Sequence, residues 1–184
     1  MDFCPSHSGV NSWRAMSYSP ETEAFYIPLT LNCTSTVYSD VEWREGGGGN
    51  GMVGRKNFLH PDSGGNLGEF VAMHVSGEIL WSHRQRTPYI SASLTTAGGL
   101  AFVGTYDRDA YAYDVSTGEQ LWKTRLPTSV QGFPVTYEVD GRQYVAIGAG
   151  IGGGSWVSIP AQLTPEKRRP NAGNGLFVFA LPAE

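Results

Sequence analysis

Few residues of this 184-residue chain stand where type and spacing together would do chemistry. The carboxylates Asp107, Asp109, Asp114 and Asp140 all fall at turn positions, where an aspartate caps backbone N–H groups and stays solvated. His7 and His60 lie in loops, and His74 takes the strand position that Asp114 holds in a second copy of the same pattern. No catalytic residue is assigned among them, and no His or Cys lies at metal-ligand spacing. Cys4 and Cys33 either pair, closing a loop worth roughly 3–4 kcal/mol on the chain-entropy model, or remain two buried thiols. A bridge favours an oxidising compartment. The glycine series from Gly148 to Gly154, interrupted by Ala149 and Ile151, has neither the Lys nor the Ser/Thr of a phosphate loop. It either lets backbone approach something flat or bulky or serves as a flexible connector.

The strands and turns around these residues are clearest from Gly98 to Trp122. Gly98-Gly99 opens a turn, Leu100 to Gly104 reads as a buried strand, Asp107-Arg108-Asp109 is a polar hairpin tip, and Ala110 to Val115 returns. Ser116-Thr117-Gly118 turns the chain again into the strand of Leu121-Trp122. The unit recurs: Val71 to Val75, the Ser76-Gly77-Glu78 turn and Ile79-Leu80-Trp81 match Tyr111 to Val115, Ser116 to Glu119 and Gln120-Leu121-Trp122, with one residue fewer in the turn. Trp81 and Trp122 lie 41 positions apart, a period that fits a four-stranded propeller blade of roughly 40–50 residues. A truncated third copy, Gly175 to Leu181, follows. These units predict an all-β chain of stacked blades.

Composition agrees. Hydrophobic residues make up 40%, Gly (24) and Pro (11) are frequent, and no stretch sustains an apolar period of 3.6. A net charge of −4 with 13 Lys+Arg offers no face for a phosphate backbone, and Lys167-Arg168-Arg169 reads as a solvated turn. No apolar run approaches the ~18 residues needed to span a bilayer. Met1-Asp2-Phe3-Cys4-Pro5 has neither the basic nor the apolar region of a signal peptide, so the chain is either cytosolic or a piece of a longer exported one.

Along the chain, Cys4 to Trp13 reads as a loop leading into a hairpin of Met16 to Ser19 and Ala24 to Pro28. From 34 to 68 the pattern dissolves, with a four-glycine run at Gly46 to Gly49, and a loop insertion is expected there near one mouth of the propeller. Gly132 to Glu138 and Arg142 to Ile147 flank Asp140-Gly141, a strong hairpin turn signal.

Ala112 to Trp122 resembles the tryptophan-docking motif of the pyrroloquinoline quinone (PQQ) dependent alcohol dehydrogenases. Gln131 to Val145 resembles the segment that follows it there, and Cys4-Pro5-Ser6 through Tyr18-Ser19-Pro20 resembles their cofactor-adjacent loop. That family is an eight-bladed propeller in which each docking tryptophan packs on a peptide plane of the next blade. The resemblance implies about three blades, the C-terminal third or so, of a periplasmic enzyme.

It also implies a chemistry: oxidation of an alcohol by hydride transfer to the quinone, with calcium or a lanthanide as Lewis acid and an aspartate as base. The family's metal ligands and base come from earlier blades and have no counterpart here, so no catalytic or metal residue is expected. What carries over is one wall of the PQQ pocket. Where the family has Asn-Trp or Asp-Trp, this chain has Ser12-Trp13, with Asn11 one place earlier. Near Gly150, Ile151 and Gly152 the family often has a tryptophan; here Ile151 takes that place and Trp156 follows. Asn11, Ser12, Trp13, Gly150, Ile151 and Gly152 are therefore the expected cofactor contacts, and Cys4 and Cys33 the expected bridge. The expected partners are the missing N-terminal blades, an alcohol, and an acceptor such as a cytochrome or quinone. The alternative is a noncatalytic propeller scaffold that binds a partner.

Overall fold

A computed structural model describes all residues except 43, 48, 50, 151–156, 168–169, 171–172 and 183–184. Its strands are β1 (Asp2–Phe3), β2 (Ser17–Ser19), β3 (Ala24–Thr30), β4 (Asn32–Tyr38), β5 (Met52–Leu59), β6 (Gly68–His74), β7 (Ile79–Gln85), β8 (Leu94–Thr95), β9 (Leu100–Gly104), β10 (Asp109–Asp114), β11 (Gln120–Arg125), β12 (Val135–Val139), β13 (Arg142–Ala149) and β14 (Gly175–Ala180). A short helix, α1 (Ser158–Leu163), and one turn of 3-10 helix at Pro61–Ser63 complete the described elements. Among the described residues no helix is long and apolar enough to cross a membrane.

The strands form four antiparallel sheets, ordered β2-β3-β6-β7, β8-β9-β10-β11, β12-β13-β14 and β1-β4-β5. The first two are the repeated units, and they share a detail beyond pairing. The register slips between Ala72 and Met73 opposite Trp81, and again between Ala112 and Tyr113 opposite Trp122. A bulge beside the tryptophan increases local twist, so both units turn their last strand the same way. β10 is buried along nearly its whole length, whereas β11 alternates between exposed and half-buried residues. A strand packed on both faces reads as continuously apolar, and an outer strand alternates. The all-β, partial-propeller reading holds.

Between the first two sheets lies a core of Tyr26, Phe70, Trp81, Tyr89, Tyr113 and smaller residues. Trp81 donates from its indole Nε1 to Val115 O at 2.9 Å, just past the end of β10. Gly118, at φ 74°, lies under the ring: a Cβ there would come within 2.7 Å of Trp81 Cδ2. Trp122 faces the next sheet, edge-on to Phe179 of β14 with ring centroids 5.0 Å apart, and lies edge-on to Phe102 of its own sheet at 6.4 Å. It also lines an apolar cleft of about 390 Å³ with Leu121, Leu181 and Pro182.

The stretch from 34 to 68, expected as a loop excursion, instead contains most of β4 and all of β5, paired from Asn32↔Leu59 to Tyr38↔Met52. The β4–β5 pair is inserted between β3 and β6, the two middle strands of the first unit, and with β1 from the start of the chain it forms a separate sheet. Hydropathy missed it because buried threonines, not aliphatic residues, line its covered face: Thr34 is 0% and Thr36 1% exposed. A disulfide joins Cys4 to Cys33 at a Cα separation of 4.5 Å and ties the loop ahead of β2 to this inserted sheet.

Candidate functional site

The loop of residues 4–14 is held at both ends. Ser6 N donates to Asn32 O at 3.0 Å, and Thr30 N donates to Val10 O at 2.8 Å. Trp13 then sits at φ 73°, a left-handed conformation that disfavours a bulky side chain by about 1–2 kcal/mol. The turn has a visible effect: the Trp13 ring is 80% exposed while the next residue, Arg14, is 7% exposed. Arg14 donates to Tyr89 O and, at 2.7 Å, to Val10 O. Burial lowers its pKa to about 10, so the guanidinium stays charged at neutral pH.

Trp13 and Arg14 line a concavity of about 100 Å³ together with Ile90, Ala92, Gln131, Gly132 and Phe133. These come from three segments at equivalent places. Trp13, Ile90 and Gln131 each lie four residues ahead of the first residue of β2, β8 and β12, the opening strands of three successive sheets. The walls are bonded to one another: Ala92 N donates to Gly132 O at 2.9 Å, and Ser93 N to Ala15 O at 3.0 Å. Gly104 makes the approach possible, because a Cβ there would stand 2.1 Å from Val130 Cγ1. Gly104 O also accepts from Ile90 N at 2.9 Å. Two large flat rings, Trp13 and Phe133, remain 80% and 64% exposed at the rim.

Of the residues expected to contact a cofactor, Trp13 is the one lining this concavity. Ser12 is half-buried beside it. The Asn11 amide turns toward backbone, oriented to donate to Pro28 O at 2.8 Å and Arg14 O at 3.1 Å. Gly150 donates to Ser129 O at 2.9 Å, two residues before Gln131; Ile151 and Gly152 lie outside the described residues. Arg14, Ile90, Ala92, Gln131, Gly132 and Phe133 were not expected. The one signal that could have found them is the repeat itself, projected back four residues from each opening strand.

The carboxylates are committed elsewhere. Asp114 behaves as its turn position predicts: its Oδ1 accepts from Ser116 N, Thr117 N and Thr117 Oγ1 at 2.8–3.0 Å, and these bonds hold its pKa below the usual carboxylate value. Asp109 departs from the solvated reading: it is 5% exposed and pairs with Lys123 at 3.1 Å and Arg125 at 3.4 Å. Asp107 pairs with Lys167 at 3.0 Å and with Arg125 at 3.4 Å. Among the described residues, Cys4, Cys33 and His60 bring three potential metal-ligand atoms within 4.8 Å of one another, but both sulfurs are in the disulfide.

Comparison with known proteins bears on the assembled geometry. Residues 65–145 match the family described as PQQ, glucose/ethanol/alcohol dehydrogenase, beta-propeller domain. The chain is 34% identical over 187 residues to a quinoprotein ethanol dehydrogenase of Pseudomonas aeruginosa, covering 100% of this chain and 29% of that one. It is 36% identical over 180 residues to a 1-butanol dehydrogenase (quinone) of Thauera butanivorans, covering 97% of this chain and 28% of that one. Among solved structures it superposes on a europium-containing methanol dehydrogenase with a TM-score of 0.82 and 27% identity, covering 98% of this chain and 35% of the other. The chain spans less than a third of the length of the curated relatives it matches.

Proposed function

We propose, on the premise that the chain is a piece of a β-propeller of the quinoprotein alcohol dehydrogenase family, that it supplies one wall of a PQQ pocket in an enzyme oxidising an alcohol. The observation that carries this reading is the meeting of Trp13, Ile90, Ala92, Gln131 and Phe133 ahead of three successive sheets, above a buried cation. PQQ is flat and carries three carboxylates. Exposed faces at Trp13 and Phe133 suit its rings, and Arg14 gives the floor a positive charge that favours an anion. A concavity of about 100 Å³ is too small to enclose a tricyclic quinone, so the opposite wall belongs to blades outside this chain.

When bound, PQQ supplies the two-electron centre that accepts hydride from the alcohol carbon. The residues present here have narrower tasks. Trp13 offers a stacking surface and shields one side from water. Gln131 offers an amide that both donates and accepts, and Ser12 a hydroxyl beside Trp13. The Gly132 and Ala92 backbones, bonded to each other, keep the wall rigid. The catalytic base and the ligands of calcium or a lanthanide lie outside this chain.

The exposed apolar residues of β12, among them Val135 and Val139 at 51% and 49% exposure, fit coverage by the remaining blades, since a bare sheet edge invites aggregation. A periplasmic location and a cytochrome or quinone as electron acceptor complete the proposal. The test is to add PQQ with calcium or a lanthanide to the complete polypeptide and to look for quinone absorbance and alcohol-dependent dye reduction. Uptake with reduction is expected; a protein that binds no quinone is instead the noncatalytic scaffold.

A further inference from the structure

We infer that His7, held as the neutral tautomer with its proton on Nδ1, is a positioning residue that fastens the Trp13 loop to the inserted sheet, and that acid breaks its link to Arg55 on β5 while the link to Thr34 on β4 stays. Arg55 on β5 donates to His7 Nε2. A guanidinium has only donors, so Nε2 must accept, and a neutral ring that accepts at one nitrogen donates at the other. Nδ1 faces Thr34 Oγ1 on β4 at 3.1 Å. The Thr34 hydroxyl spends its own hydrogen on Asn57 Oδ1 at 3.1 Å, and Asn57 Nδ2 donates to Gln162 Oε1 at 3.1 Å. Every link therefore has a fixed direction, from the loop through β4 and β5 to α1.

The middle of this chain of bonds is buried, with Thr34 0% and Asn57 8% exposed, while His7, Arg55 and Gln162 at its ends are exposed. It runs from the loop read from sequence as cofactor-adjacent, in which His7 lies, to Gln162 on α1. Between Ser6, bonded to Asn32 on β4, and Val10, bonded to Thr30 on β3, the hydrogen bonds from loop to inserted sheet among the described residues come from His7, through its ring and its backbone N–H, 3.4 Å from Thr34 Oγ1. The groups facing the ring are Arg55 from β5, Thr34 from β4 and Ser8 from the loop itself, with Ser8 Oγ 3.0 Å from Nε2. Among the described residues no carboxylate pairs with the ring. A second proton would turn Nε2 into a donor pointed at a cation, so Arg55 must leave. Burial and Arg55 both hold the His7 pKa below 6.5. The bond is thus intact above 6.5 and lost as pH falls through a window beneath it.

Nitrogen-detected NMR of selectively labelled imidazoles and indoles, recorded on the complete polypeptide without cofactor from pH 8 to 4.5, tests the inference. The expected results are an Nδ1–H tautomer for His7 at high pH, a His7 midpoint below 6.5, and a Trp13 indole resonance that shifts with the same midpoint. Arg55→Gln raises that midpoint, Thr34→Val speeds amide exchange in α1 by about fivefold, and His7→Gln removes the Trp13 titration. An Nε2–H tautomer, a Trp13 resonance flat through the His7 midpoint, or a Trp13 titration surviving in His7→Gln would overturn it. If a variant does not fold, the wild-type curves alone decide. None of these readouts involves a cofactor, so their failure leaves the proposed quinone wall untouched.

Discussion

Trp81 and Val115 join two sheets through one bond: the indole Nε1 donates to the Val115 carbonyl at 2.9 Å, and the Tyr26 hydroxyl reaches the same oxygen at 2.9 Å. Trp81→Phe keeps most of the ring but removes the donor, at an expected cost of about 1–2 kcal/mol. Gly118→Ala is expected to cost more, about 2–4 kcal/mol, from a left-handed backbone and a Cβ driven into the Trp81 ring. Urea denaturation of both variants checks the order as well as the size.

Gly104→Ala tests what holds the candidate pocket together. Its Cβ would overlap Val130 Cγ1 at 2.1 Å, so either the 130–133 wall moves outward or the strand does. The expected cost is about 1–3 kcal/mol, with faster hydrogen exchange at residues 130–133 and 90–92 and little change in β2 and β3.

Reducing the Cys4–Cys33 bond, which closes a sequence separation of 29 residues, is expected to remove roughly 3–4 kcal/mol on the chain-entropy model. The loss should concentrate on β1, β4 and β5 and the loop before β2. Hydrogen exchange with and without reductant reads this out, and a uniform loss across all four sheets would count against it.

Asp114 gives a pH signature. Its folded pKa is lowered, chiefly by the Thr117 backbone N–H, so its contribution is complete above the ordinary value of 3.8 and disappears as pH falls through the window below it. Asp114→Ala is expected to cost about 1 kcal/mol at pH 7. That difference should shrink as wild type and variant are compared at pH 4 and then 3.

The two repeated sheets were legible because they obey patterns that hydropathy and turn chemistry register: a turn glycine at positive φ, a largely buried strand before it, and a tryptophan at the same place in each copy. The inserted sheet was not legible for the same reason. Thr34, Thr36 and Asn57 are buried by hydrogen bonding, and no apolar alternation marks them. Trp13 announced itself as an aromatic in a resembling loop. Arg14 did not, since its meaning comes from Val10 and Tyr89, and Tyr89 is 75 residues away. Asn11 read as a polar contact, yet the left-handed turn at Trp13 leaves its amide facing backbone.

If Trp13 walls a flat quinone, as proposed, PQQ affinity of the complete protein depends on its ring. At 80% exposure the ring contributes little to folding, so Trp13→Ala should leave the melting curve nearly unchanged. This variant is expected to bind PQQ at least about tenfold more weakly, through lost stacking and apolar contact. An unchanged affinity in a folded Trp13→Ala protein would contradict it.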